Sequence, residues 1–112
     1  MQIIEKQTNN YISLFPQGDL DANSSVFLDE KIRSLLESEN YKIHISGKEV
    51  PYISSAGLGV LISHMDEVAS HQGKFVISDL NESVSDVFEI LGLDQLEHLI
   101  VVGSENEVEG QF

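Results

Sequence analysis

The sequence predicts an α/β fold: one mixed β-sheet packed with helices, in the order β-β-α-β-α-β-α-β. Its 112 residues suit a single domain. Short apolar or alternating stretches separate longer stretches in which apolar residues recur every three or four positions. The first two strand candidates are joined by a turn alone, which predicts an N-terminal hairpin. Each later strand candidate follows a helix, and right-handed crossovers make those strands parallel.

The hairpin comes first along the chain. Its predicted strands are Met1 to Lys6 and Tyr11 to Phe15, and the polar residues Thr8 to Asn10 between them indicate a turn. Pro16 and Gly18 then predict the end of the second strand.

Three helices follow, each leading to a further strand. The first runs from about Ser24 to Ser38 with Asn23 or Ser24 as N-cap, and the next strand is Tyr41 to Ile45, continued beyond Gly47 by Val50 to Ile53. The apolar stripe of this helix consists of Leu28, Ile32, Leu35 and Leu36.

The second helix begins near Ser55, and Gly73 suits its C-terminal cap. Its predicted apolar face is Leu58, Leu61, Ile62, Met65 and Val68 or Ala69. The strand KFVIS, Lys74 to Ser78, comes next. The third helix carries Val84, Val87, Phe88 and Leu91 and ends at Gly92. The last strand is Leu99 to Val102, so we expect a domain over residues 1–103 and a flexible acidic tail over residues 104–112.

The charge excludes several classes of partner. Six Lys and Arg residues face nineteen Asp and Glu residues, a formal charge of −13. Such a surface repels phosphate backbones and anionic headgroups, so we expect no direct nucleic-acid binding and no membrane insertion. No apolar run approaches the ~20 residues that span a bilayer. These features predict a cytoplasmic protein whose partners are proteins with a basic face or a metal-nucleotide site.

The stretch VPYISSAGLGVLISHM, Val50 to Met65, places two serines where a helix begins, and no catalytic pattern accounts for them. The esterase elbow needs glycines two places before and after its serine, and the pair Gly57 and Gly59 lacks the third glycine of a dinucleotide loop. A calcium loop starting at Asp19 has Ser24 where glycine is needed. The histidines show no paired metal spacing. We therefore expect no enzyme, no metal and no cofactor; the serines are a helix cap, a modification target or both.

Three segments give the chain a family resemblance. YISSAGLGVLISH resembles the strand-to-helix signature of the STAS domain, the fold of bacterial anti-sigma factor antagonists. PQGDLDA is similar to that family's G-x-L-D segment, and EILGLDQL to its L-G-L closure. The resemblance covers about residues 1–103, in family order.

The resemblance implies a partner-switching regulator. It makes Ser55, and with less support Ser54, the residue that a partner kinase phosphorylates. The implied partners are an anti-sigma factor that is also a serine kinase of the histidine-kinase-like ATPase type, and a separate serine phosphatase. Phosphorylation would release the anti-sigma factor. The implied partner-binding residues are Gly18, Asp19, Asp21, Ser54, Ala56, Gly57, Leu58 and Gly59.

The chain also departs from the family pattern. Ser54 stands where many relatives carry Asp, Ala56 where some carry Ser or Thr, and His44 where the central strand often has Asp. The change at Ser54 favours an alternative, a STAS subunit that does not switch, as in lipid-transport ATPases. Ser55 and the GLG motif favour the switch.

Overall fold

A computed structural model describes all 112 residues and contains one five-stranded sheet in the spatial order β1-β2-β3-β4-β5. The strands are β1 (Gln2–Gln7), β2 (Ile12–Gln17), β3 (Lys42–Ser46), β4 (Lys74–Ser78) and β5 (Leu99–Val101). β1 pairs antiparallel with β2, and each later strand pairs parallel with its neighbour. The predicted mixed sheet is confirmed.

Three helices connect the strands: α1 (Ser25–Glu37), α2 (Ser55–Ser70) and α3 (Glu82–Ile90). Short 3-10 turns follow at Leu93–Gln95, Glu105–Glu107 and Glu109–Gln111. None of these helices has the length and apolar character needed to cross a membrane. The element order agrees with the sequence prediction.

The hairpin turn forms because the Thr8 side chain closes it. The Thr8 hydroxyl donates to the Tyr11 carbonyl at 2.8 Å and accepts from the Tyr11 amide at 3.0 Å. β2 continues through Pro16, which the sequence predicts as its end. Pairing between β2 and β3 stops at Leu14, so Pro16 has only β1 beside it and interrupts no ladder on the β3 side.

The predicted continuation of β3 through Val50 to Ile53 is wrong. The chain turns after β3, and the Val50 amide donates to the Gly47 carbonyl at 3.0 Å. Only Ile53 returns to an extended pairing, as a single parallel bridge with Leu20. β3 therefore ends at Ser46, and the chain turns from Gly47 before it reaches α2.

The helices bury most, but not all, of their predicted faces against one side of the sheet. The buried apolar residues of the α1 stripe, Leu28, Ile32, Leu35 and Leu36, are as predicted. On α2, Ile62 is 50% exposed, whereas His64 lies on the buried side. On α3, Leu91 is 57% exposed, and Leu93 enters the core after Gly92 turns the chain with φ 71°.

Gly73 does not supply the left-handed cap of α2. Gln72 adopts the positive φ of 60° there. Gly73 instead permits a close backbone contact, since a Cβ at this position would clash with the Tyr41 carbonyl oxygen. The glycine is required by packing rather than by its own dihedral angles.

Residues 104–112, predicted as a flexible acidic tail, pack on the sheet face opposite the helices. Val108 is fully buried, and the Phe112 ring stacks on Tyr11 with centroids 4.7 Å apart. The Lys74 ammonium donates to the Gln111 carbonyl at 2.8 Å. One apolar residue and one terminal ring therefore hold an otherwise acidic segment in place.

Candidate functional site

The two predicted partner-binding segments lie side by side at the edge of the sheet where the parallel strands end. The Ser54 amide donates to the Leu20 carbonyl at 2.8 Å, and the Leu20 amide donates to the Tyr52 carbonyl at 2.9 Å. The Gly18 amide donates to the Glu49 carbonyl at 2.8 Å. The loop after β2 and the residues before α2 therefore form one hydrogen-bonded surface.

Ser54 is the N-cap of α2. Its backbone is extended, with φ −94° and ψ 174°, and its hydroxyl accepts from the Gly57 amide at 3.4 Å. This is a long hydrogen bond, so the cap is a weak one. Ser54 is half-buried and already engaged with the helix that it begins.

Ser55 is the first residue of α2 and is exposed. Its hydroxyl makes none of the side-chain hydrogen bonds in the structure, unlike that of Ser54. A group in this position lies beside the unpaired N–H groups of the first helical turn, which carry partial positive charge. The site thus combines a free hydroxyl with a local field that favours an added anion.

Gly57 and Leu58, both predicted to bind a partner, lie in the interior of the domain. A Cβ on Gly57 would be 2.8 Å from Ile53 Cγ1 and 3.1 Å from the Leu20 carbonyl oxygen. The glycine therefore lets α2 approach the loop that contains Leu20 closely. Leu58 is only 3% exposed and belongs to the core. Both are therefore placed to position the exposed residues around them rather than to be exposed themselves.

The other predicted partner residues reach the surface. Gly59 is exposed, and nothing lies within 4 Å of where its Cβ would be. Ala56 is half-buried beside Ser55. In the neighbouring loop, Asp19 is exposed and Gly18 is half-buried with φ 117°, a value that favours glycine.

Asp21 orders the start of α1. Its carboxylate accepts from the Ser24 amide and from the Asn23 amide, each at 3.0 Å. The Ser24 backbone hydrogen bond is the main reason that the pKa of Asp21 lies below its ordinary value. The Ser24 hydroxyl donates to the Asp19 carbonyl at 2.6 Å. Ser24, one of the two predicted candidates, is the N-cap by position, but its side chain makes no capping hydrogen bond; the Asp21 side chain instead closes the turn just before α1.

Sequence reasoning missed a buried polar chain across the sheet. His44 is fully buried; its Nδ1 lies 2.8 Å from the Ser13 hydroxyl and its Nε2 lies 2.7 Å from the Ser78 hydroxyl. Ser78 in turn donates to Asp79 at 2.7 Å. Burial lowers the pKa of His44. The alternation IHIS was the available signal, because it places His44 on the sheet face opposite its apolar neighbours.

Sequence reasoning also missed a contact between α1 and α2. His64 Nε2 on α2 lies 2.7 Å from Asp29 Oδ1 on α1, and Arg33 approaches the other carboxylate oxygen at 2.7 Å. This cluster fixes one flank of α2 against α1.

The fold and the α2 start define a STAS-type domain, and the STAS domain family model matches residues 2–105. The anti-sigma-B factor antagonist of Bacillus subtilis is 32% identical over 91 residues, which cover 81% of this chain and 83% of that protein. The one from Listeria monocytogenes is 26% identical over 107 residues, covering 96% and 92%.

Solved structures share the fold. A proposed anti-sigma factor antagonist from Thermotoga maritima superposes with a TM-score of 0.90 at 21% identity, covering 97% of this chain and 92% of that one. The Bacillus protein SpoIIAA in its phosphorylated form gives 0.74 at 16% identity, covering 99% and 100%. The chain belongs to the STAS domain family and, within it, to the anti-sigma factor antagonists, a family that is regulatory rather than catalytic.

Proposed function

We propose that this protein is a partner-switching regulator in the cytoplasm, controlled by phosphorylation of Ser55. Unphosphorylated, it binds an anti-sigma factor that is also an ATP-dependent serine kinase, and so frees a sigma factor. The observation that carries this proposal is the exposed, unbonded hydroxyl of Ser55 at the first residue of α2, beside the loop that contains Asp19.

The energetics favour release of the partner over a change in the fold. A phosphoserine adds about −1.5 to −2 charges at pH 7. At a helix N-terminus such a charge gains only ~0.3–2 kcal/mol, so the domain tolerates it. At a docked interface, a like-charge contact or a desolvated phosphate costs several kcal/mol. A loss of about 4 kcal/mol weakens binding roughly a thousandfold.

The charge of the chain supports a kinase partner with a basic docking face. Nineteen acidic residues against six basic ones leave a surface that attracts such a face. Ser54 is a less favourable acceptor than Ser55, because its hydroxyl already caps α2. A separate serine phosphatase would restore the binding form.

The test uses each histidine-kinase-like ATPase of the anti-sigma factor type encoded in the same genome. The protein is incubated with each ATPase and Mg-ATP, and the phosphate is mapped by mass spectrometry. We expect one phosphate, on Ser55. Ser55→Asp should then bind the same kinase at least a hundredfold more weakly in calorimetry. Absence of phosphate from both Ser54 and Ser55 would refute the switch.

A non-switching subunit is the alternative, and Ser54 in place of the family's Asp is the observation that favours it. Its signature is different: stable association with a transporter ATPase, unaffected by Ser55→Asp. Co-purification of tagged wild-type protein and the Ser55→Asp variant separates the two functions.

A further inference from the structure

α2 carries one large apolar side chain that the fold leaves half uncovered. Ile62 is 50% exposed, although its helical neighbours Leu58 and Leu61 are in the core. It follows Ser55 by seven residues and Gly59 by three. At about 100° per residue, these three positions share an arc about 60° wide, and Ile62 lies roughly 10 Å along the helix from Ser55.

Ile62 lies on a flank of α2 that α1 does not cover. His64 is two residues further on, about 200° around the helix, and it contacts Asp29 of α1 at 2.7 Å. α1 therefore packs against the flank away from Ile62. Gly59 contributes no side chain next to Ile62, and the space above it is open to at least 4 Å. An incoming group can reach both the Ile62 side chain and the helix backbone beside it.

The charges around Ile62 indicate which kind of partner surface would complement it. Asp66, one turn later in the same arc, is exposed, and so is Asp19 in the loop beside the start of α2. On the helix pair, His64 and Arg33 both contact Asp29 on the other flank, and Lys31 pairs with Glu5 of β1. The surface is thus an apolar centre between acidic ends, which matches an apolar pocket with a basic rim.

We propose that Ile62 is the apolar anchor of the partner surface, seated in an apolar pocket of the kinase that phosphorylates Ser55, with basic side chains of that kinase facing Asp66. The proposal rests on the proposed function and adds to it a binding residue away from the modified serine. Apolar anchors at the centre of an interface carry a large share of the binding free energy, whereas charged rims mainly change the association rate.

The experiment compares two isoleucines of almost equal exposure. Ile62 on α2 is 50% exposed, and Ile4 on β1 is 48% exposed, pairing with Phe15 in the hairpin. Calorimetry with the kinase identified by Ser55 phosphorylation should show the Kd rising at least tenfold for Ile62→Ser and less than twofold for Ile4→Ser. Asp66→Lys should slow association about threefold to tenfold in stopped-flow measurements, and added salt should reduce that difference.

Thermal unfolding followed by circular dichroism verifies that each variant is folded, and Ile62→Ala repeats the test with better helix propensity. Equal affinities of the Ile62 and Ile4 variants for a kinase that still phosphorylates wild-type Ser55 overturn this inference and leave the proposed function intact. A wild-type protein that no kinase of this type binds or phosphorylates overturns both.

Discussion

Two helices of this domain begin with a pair of serines, and the two pairs differ in how far their second serine is exposed. Ser24 and Ser25 start α1, whereas Ser54 and Ser55 start α2. In each pair the first serine is the N-cap by position. The second is only 4% exposed in α1 but is exposed in α2.

The difference follows from what satisfies each helix start. Just before α1, the Asp21 carboxylate accepts from the Asn23 and Ser24 amides and the Ser24 hydroxyl donates to the Asp19 carbonyl, so the loop closes over the serines. At α2, one long bond to Ser54 is the only side-chain cap. The same Ser-Ser dipeptide can thus be covered at one helix start and exposed at the other, because the loop before each helix determines how much of the dipeptide is covered.

The largest expected effect separates the two second serines in a kinase assay. Ser55→Ala should reduce phosphate incorporation at least a hundredfold, because it removes the exposed hydroxyl. Ser25→Ala should leave incorporation per folded molecule unchanged, since Ser25 is buried. Radiolabelled ATP and gel quantification measure both variants. Equal loss in the two variants would remove the distinction between the helix starts.

A second comparison lies within α2 and concerns its two glycines. Gly57→Ala places a methyl group 2.8 Å from Ile53 Cγ1 and 3.1 Å from the Leu20 carbonyl oxygen, and such overpacking costs about 1–3 kcal/mol. Gly59→Ala meets nothing within 4 Å and should stabilise the domain by about 0.4–1 kcal/mol. Urea unfolding measures both.

The sign of the difference between the two glycine variants is the decisive result. If Gly57→Ala were as stable as Gly59→Ala, α2 would not rest on the loop that contains Leu20. The affinity of Gly59→Ala for the kinase then shows whether the partner also contacts the exposed position 59.

Periodicity and turn residues were enough to predict the sheet, the helix order and the position of Ser55 at a helix start. They were not enough to say which flank of a helix its neighbours cover. Ile62 and His64 illustrate this: an apolar stripe predicts Ile62 inside and His64 outside, but the carboxylate of Asp29 on α1 holds His64 on the buried side.

Long-range packing of single residues also escapes sequence patterns. Val108 is one apolar residue in an acidic segment, so it has no period to reveal that it is buried. Gly57 belongs to a motif that suggests a partner contact, and only the distance to Leu20 shows that its first role is internal. The candidate site was predictable as a segment of chain but not as a surface.

The smallest expected effect concerns the side-chain hydrogen bonds of Asp21 before α1 and of Ser54 at the start of α2. The pH dependence of the stability distinguishes the two. The pKa of Asp21 is lowered from 3.8, chiefly by the Ser24 backbone hydrogen bond. The folded protein therefore binds this proton more weakly than the unfolded chain, so the stabilisation is present above about pH 4 and is lost as the pH falls through the folded-state pKa. Asp21→Asn keeps an oxygen acceptor but cannot titrate.

Urea midpoints between pH 3 and pH 6 should therefore fall less steeply on acidification in Asp21→Asn than in wild type. Ser54→Ala, the matched change at α2, should lower the midpoint at every pH by the equivalent of about 0.5 kcal/mol and keep the wild-type slope, because a hydroxyl does not titrate in this range. An unchanged slope in Asp21→Asn would show that the carboxylate is not what closes the α1 start. The contrast between a closed helix start and an open one would then need another cause.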